Sequence, residues 1–390
     1  MRGRRDLLLL ASGLAVSVFG SAMTGIVLLL QAQPKGGLAV AAVLIAELVP
    51  VIVAAPVSGV LVDRLPNKRL LSSALVLQAG GVGLIILGLA SLPVVLIGLV
   101  LVGFGASVAN PTASALVPAV AGEEWSTRGY AWVATGRSFG TLVGVAVGGV
   151  LVGLLGAHGA LLVDGLTYLV DAALVLTLRA DRVPHQHKRR PRALDGWRFL
   201  RADPVLLTVV ASLAVTIAGI VLINVADVFF VVDVLGGGAI TIGLLQGCWM
   251  IGMLTGARVA ARLRSVHALV TGLGVAGCTI GLASMIPAAV PFVLVNGACF
   301  LLGGISNAVQ NVTQQGLVRL RTPEDQRGRV FAATGSLLNT ANVSGTVAGG
   351  FVVGAIGPRW TFAVAGTAAL LSGLAALVLR VRTRETAPVT

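Results

Sequence analysis

Charge is what this sequence lacks most. Only 11% of its 390 residues are charged, and Asp and Glu together number 15. A water-soluble domain of this length needs a far more polar surface, so a soluble globular fold is excluded. Cysteine is scarce: Cys248, Cys278 and Cys299 all fall inside apolar runs. Three thiols at membrane depth build no disulfide framework, and none pairs with a histidine at metal-ligand spacing. Of the four histidines, His185 and His187 share a basic stretch where they read as solvated. No metal is expected. The sequence has no Gly-x-x-x-x-Gly-Lys-Ser/Thr phosphate loop, which argues against ATP drive. No span sets a histidine with a serine, a cysteine or paired acids in a convincing catalytic arrangement. The chain is therefore read as no enzyme, with an intramembrane enzyme acting on lipid as a remote alternative.

What it has instead is apolar length. Hydrophobic residues fill 56% of the positions. About 20 such residues in a helix cross the hydrocarbon of a bilayer. Twelve stretches meet that requirement, at about 7–32, 38–62, 69–90, 93–117, 128–155, 158–179, 205–232, 238–262, 266–286, 290–317, 327–355 and 358–380. The start, Met1-Arg2-Gly3-Arg4-Arg5, has the charge of a signal peptide. The apolar run after it is too long for one and lacks a convincing cleavage site, so it is read as a retained first span.

Lys and Arg give the sidedness. With the N-terminus inside, 25 of the 28 fall in inner segments, Lys35 and Arg359 fall outside, and Arg137 lies within a span. That asymmetry places both termini in the cytoplasm. It also accounts for the net charge of +13 without a clustered basic face, so no nucleic-acid partner is expected. The expected partners are a lipid bilayer and a small-molecule substrate, with the chain acting as a monomer in a bacterial cytoplasmic membrane.

The spans divide into halves, 1–179 and 205–390, joined by a cytoplasmic linker at 180–204. The linker carries Pro184, Lys188, Arg189, Arg190 and Pro191, a solvated and flexible composition. Its end, Leu194-Asp195-Gly196-Trp197-Arg198-Phe199-Leu200-Arg201, suits a short interfacial helix in the inner headgroup layer. The halves echo each other. Arg128-Gly129 and Gly136 in span five recur as Arg327-Gly328 and Gly335, 199 residues on, while Gly144 and Gly148-Gly149 recur as Gly345 and Gly349-Gly350, 201 residues on. Parallel repeats of this kind belong to transporters, with a substrate site near the midplane.

Spans two and three are joined by Gly59-Val60-Leu61-Val62-Asp63-Arg64-Leu65-Pro66-Asn67-Lys68-Arg69. Asp63 can cap the N-terminal amides of span three or pair with arginines of the loop, and such a cluster can latch an inner gate. This loop resembles the signature of the major facilitator superfamily, with Pro66 and Asn67 replacing the usual Gly-Arg. The gate residues implied are Gly59, Asp63, Arg64, Lys68 and Arg69. In span five, Gly140-Thr141-Leu142-Val143-Gly144-Val145-Ala146-Val147-Gly148-Gly149 is similar to the antiporter signature of drug exporters in that superfamily, with Val145 in place of a proline. Gly136, Gly140, Gly144 and Gly148 recur every fourth residue and let another helix approach to backbone contact. The resemblance makes that partner span eight, with Gly243, Gly247, Gly252 and Gly256. Asp195–Pro204 and Leu162–Leu169 are similar to a bacterial branch that includes enterobactin-type and macrolide exporters. The resemblance covers essentially the whole chain. It implies an all-α integral membrane protein, twelve transmembrane helices in two pseudo-symmetric six-helix bundles. One element of many proton-driven exporters, an intramembrane Arg in span four, is absent.

Ionisable groups at membrane depth are costly and functional by default. Arg137 and Asp171 lie at roughly 15 and 12 Å above the inner ends of their spans, which suggests an ion pair. Glu47, Asp164 and Asp227 are the candidates for proton or cation handling. Asn307, Gln310, Asn311 and Gln314 form a polar stripe at i, i+3, i+4 and i+7 in span ten. With Asn110, Gln31, Asn224, Gln246 and Trp249 they are candidate substrate contacts in a central cavity. The function expected is secondary active export of a small amphiphilic organic compound (a drug, an antibiotic or a siderophore-like molecule) by proton antiport and alternating access. It needs no cofactor beyond the proton gradient. An importer or facilitator of a small metabolite on the same fold is the alternative.

Overall fold

Helix is the only architecture these runs can adopt in lipid, because each backbone amide must be bonded within its own segment. The computed structural model describes residues 3–122, 125–181, 194–263, 265–324 and 326–385. Its helices are α1 (Gly3–Ala32), α2 (Gly37–Arg64), α3 (Asn67–Leu87), α4 (Leu92–Ala121), α5 (Ser126–Leu176), α6 (Leu194–Ala202), α7 (Pro204–Phe229), α8 (Ala239–Ala260), α9 (Val266–Ala289), α10 (Val293–Arg321) and α11 (Arg327–Glu385). A 3-10 turn, Gln33–Lys35, follows α1, and a π-helical turn, Phe230–Val234, extends α7.

Among the described residues, ten helices are long and apolar enough to cross a membrane. Two of them are pairs of spans. α5 has 51 residues and α11 has 59, twice what a bilayer needs. Each breaks at a glycine in the left-handed region, Gly156 at φ 69° and Gly357 at φ 76°. The chain reverses there. Gly140, Gly144 and Gly148 on the first arm of α5 meet Ala15, Phe19 and Met23, running parallel to α1. On the second arm Asp164 and Asp171 meet Gly20 and Gly13, in the opposite sense. α11 does the same on α7: Gly345 and Gly349 meet Ala218 and Leu222, whereas Ala365 and Ser372 meet Gly219 and Ser212. The twelve spans of the sequence are all present.

The chain divides into two units, Met1–Lys188 with Gly237–Leu244, and Arg189–Gly236 with Leu245–Thr390. In the first, α1 packs along both arms of α5, and α4 packs on α2 and α3. In the second, α7 and α9 pack on α11, and α9 also on α10. One helix contact recurs in both units. Phe19 and Ala218 stand 199 residues apart, and their partners Gly144 and Gly345 stand 201 apart. This contact is preserved although no single shift aligns the halves.

The short helix α6 forms where the amphipathic pattern put it, but its apolar face covers protein rather than headgroups. Leu200 is wholly buried in a cluster with Val205, Leu206, Leu269, Leu317 and Val330, and Trp197 and Phe199 pack against the same cluster. Gly196 sits so close to the Arg329 carbonyl of α11 that a Cβ would lie 2.1 Å from its oxygen. A lone amphipathic segment carries the same pattern for either environment; the apolar helix ends beside it decide the matter.

Candidate functional site

Four of the sequence candidates converge in the first unit. Glu47 of α2, Asn110 of α4, and Arg137 and Asp164 of α5 line one cavity of about 300 Å³ with Gln78 and Tyr168. Its remaining wall is largely aliphatic, with Leu14, Val18, Leu44, Val51, Leu99 and Val102. Glu47 faces this space with more than a third of its surface accessible, whereas Asp164 is 1% exposed. Asp164 Oδ2 accepts a hydrogen bond from Thr24 at 2.5 Å, and Ser21 and Tyr168 hydroxyls lie 2.8 Å apart.

The expected Arg137–Asp171 pair is not closed. Arg137 donates instead to Asn110 Oδ1 at 2.6 Å. Neither oxygen of the buried Asp171 has a hydrogen-bond partner, and the Arg137 Nε has none either. The two charges act on each other through space only. Equal depth on sequential spans does not set the direction in which a side chain leaves its helix. Asp171 leaves α5 toward Gly13 of α1, and Arg137 toward α4.

The glycine stripe also has another partner than expected. Gly136, Gly140, Gly144 and Gly148 all pack on α1, whereas Gly149 and Gly153 reach span eight, against Ala239, Gly243 and Ile240. Gly252 and Gly256 of α8 pack on Leu301 and Ile305 of α10.

At the loop between α2 and α3, Asp63, Arg64 and Arg69 are exposed, and Gly59 has open space around it. The N-cap residue of α3, Pro66, supplies no side-chain cap. Asp181 does part of that work, accepting from the Lys68 amide at 3.0 Å, while Lys68 Nζ donates to the Leu178 carbonyl at 2.7 Å. Asn67, one of the two departures from the signature, is fully buried, and its amide nitrogen donates to the Val62 and Leu65 carbonyls at 2.8 and 3.0 Å. It therefore closes the end of α2, whose last carbonyls otherwise lack partners. Asp6 of α1 holds the Arg179 and Ala180 amides at 2.8 and 3.3 Å, so spans one, three and six are tied at one end.

A model of the Major Facilitator Superfamily matches residues 7–346 and 298–390. The chain belongs to that superfamily. Macrolide efflux protein A of Streptococcus pyogenes is 24% identical over 371 residues, 91% of each chain. The protein of that name from Enterococcus faecalis is 24% identical over 305 residues, 75% of this chain and 94% of the other. Among solved structures, nucleoside transporter NupG superposes with a TM-score of 0.73 at 13% identity, covering 96% of this chain and 99% of that one. A bacterial homologue of the iron transporter ferroportin, inward-facing, gives 0.74 at 17%, covering 96% and 98%. At these identities the structures establish the fold. The chain is a transporter and not an enzyme.

In the second unit of this major facilitator protein the candidates disperse. Asp227 is buried and bonded to Gln246, with one oxygen left unpartnered. Trp249 seats its ring on Gly303 and packs edge-on to Phe300, centroids 6.2 Å apart, so it fills the α8–α10 contact. The span-ten stripe splits. Gln310 and Gln314 are buried, Gln310 lying against Gly277 of α9, while Asn307 and Asn311 bond each other at 3.1 Å. Gln31 and Asn224 are exposed. Outside the spans, Asp203 caps α7 by accepting from Val205 and Leu206 amides and takes Arg321 Nε at 2.7 Å. Burial opposes its charge, but Arg321 and those amides outweigh burial and hold its carboxyl below the usual range.

Thr24, Gln78, Tyr168, Gly13 and Gly20 were not singled out from the sequence. A signal existed: Gly13 and Gly20 of α1 are spaced by seven, as are Asp164 and Asp171, so each glycine makes room for one aspartate. The equivalent contacts of the second unit involve Ala365 and Ser372, with no acid.

Proposed function

We propose that the chain exports a small amphiphilic organic compound across a bacterial cytoplasmic membrane in exchange for protons, by alternating access. The observation that carries the reading is the cavity of the first unit. Aliphatic walls suit an apolar body, and Gln78, Asn110 and Tyr168 suit its polar groups. Glu47 and Asp164 supply carboxyls at membrane depth, where a charge is retained only for use. The acids at the helix contacts occur in one half and not in its repeat, so the fold does not require them. The similarity to proteins named macrolide efflux protein supports outward transport.

Glu47 and Asp164 are the proton carriers in this reading. The loop Gly59–Arg69, held at Asn67 and Lys68, is the inner gate. The test is efflux of a fluorescent dye or a macrolide from a pump-deficient host, with and without a protonophore. Everted vesicles check direction by substrate-induced proton release. Export abolished by the protonophore and by Glu47→Gln supports the reading. Uptake by right-side-out vesicles, or export by Glu47→Gln that keeps full dependence on the pH gradient, defeats it.

A further inference from the structure

Asp164 is desolvated without a cation beside it. Among the described residues its carboxylate meets hydroxyls alone: Thr24 Oγ1 donates at 2.5 Å, and Thr167 Oγ1, which donates to the Asp164 main-chain carbonyl at 2.7 Å, lies 3.5 Å away. The nearby guanidinium, Arg137, is taken by Asn110 and acts electrostatically on Asp171. Another acid, Glu47, lines the same cavity. A buried carboxylate in that setting must be neutralised by a proton or by a cation held in place.

The groups around it favour a cation as well as a proton. Amides and guanidinium groups can only turn hydrogens toward a carboxylate. Hydroxyls also carry lone pairs, so a shell of hydroxyls can rotate to ligate a metal ion. Thr24, Thr167 and Tyr168 are each buried, and Ser21 stands 2.8 Å from the Tyr168 hydroxyl. Ser21, Thr24, Asp164 and Tyr168 all reach the cavity, which gives an ion a route in. Hard cations take such oxygen sets, but divalent ions draw several carboxylates. No group of three or more His, Cys, Asp or Glu residues able to hold a metal occurs among the described residues. One carboxylate with neutral oxygens is a monovalent site, and the Thr24 and Thr167 hydroxyl oxygens, 2.5 and 3.5 Å from the Asp164 carboxylate, suit a small ion.

We propose that Asp164, with the hydroxyls of Thr24, Thr167, Ser21 and Tyr168, forms a Na+ site in the first unit. The inference deepens the ion-coupled reading above by naming a second ion for the same carboxylate. Na+ and a proton are alternatives there, since either one neutralises the charge and both cannot.

The test is equilibrium binding of radioactive sodium to the purified full chain in detergent, at constant ionic strength with choline. Saturable binding at one ion per chain is expected, with K+ a much weaker competitor. Asp164→Asn abolishes it. Thr24→Val, nearly isosteric and leaving every charge in place, weakens it by about tenfold or more. That variant keeps the test decisive if Asp164→Asn fails to fold. No saturable binding by the wild type, equal competition by K+, or undiminished binding in both variants overturns the proposal. Binding is measured without a transported compound, so a failed export assay leaves it standing. Proton-driven export by a chain that binds no Na+ defeats this inference alone.

Discussion

Replacing Gly140 by alanine tests whether α1, rather than span eight, is what the glycine stripe contacts. A methyl group at Gly140 would stand 2.3 Å from the Ala15 carbonyl oxygen and 2.9 Å from its Cα. To reach an ordinary contact near 3.5 Å the helices must separate by about 1 Å. The opposing atoms are backbone, so no rotamer change relieves them, and trimming Ala15 to glycine does not help. Forcing a methyl into a packed contact costs about 1–3 kcal/mol. Alanine recovers up to about 1 kcal/mol over glycine in helix preference. The net expectation is a loss of about 1–2 kcal/mol. Gly335→Ala on α11 is the control, since nothing lies within 4 Å of the added carbon, and it is expected to be neutral or mildly stabilising. Unfolding in a mild detergent, followed by tryptophan fluorescence against denaturant, measures both. Equal midpoints for Gly140→Ala and Gly335→Ala would falsify the contact between α5 and α1.

Gly196→Ala places a carbon against the Arg329 carbonyl and lifts α6 from its seat, exposing Leu200. Burial of such a side chain is worth about 1.5–3 kcal/mol, so limited proteolysis within 194–202 is expected to quicken at least tenfold, and an unchanged cleavage rate contradicts the docking. Asn67→Leu keeps roughly the size but removes both donors to Val62 and Leu65; a loss of about 1–3 kcal/mol in thermal unfolding is expected, and none is expected if the amide merely fills space. Asp203→Ala removes a helix cap and the Arg321 bond, for about 1–2 kcal/mol at neutral pH. Because the folded-state carboxyl titrates below its unfolded value, that advantage is present above the ordinary carboxylate range. It fades as pH falls through and below that range. A wild-type advantage that stays constant into acid refutes the assignment.

The sequence by itself determined the number of spans and their ends. Apolar length and charge sidedness are properties of a segment, and a bilayer reads them segment by segment. The reversals at Gly156 and Gly357 follow equally, since two spans cannot continue as one straight rod. The repeat was visible too, and the contact of Gly144 with Phe19 recurs as that of Gly345 with Ala218. Glu47, Asn110, Arg137 and Asp164 were picked out individually as polar groups at membrane depth. Their meeting at one cavity was decided by the tertiary structure. So were the choice of Asn110 over Asp171 by Arg137, of Asp181 by Lys68, and of α1 by the glycine stripe. The physical reason is common to all of them. In a soluble helix the polar face points to water and the apolar face to the core, so periodicity reveals direction. In these spans lipid and protein are both apolar, the helix is apolar all round, and only packing against a particular neighbour sets which way each side chain turns.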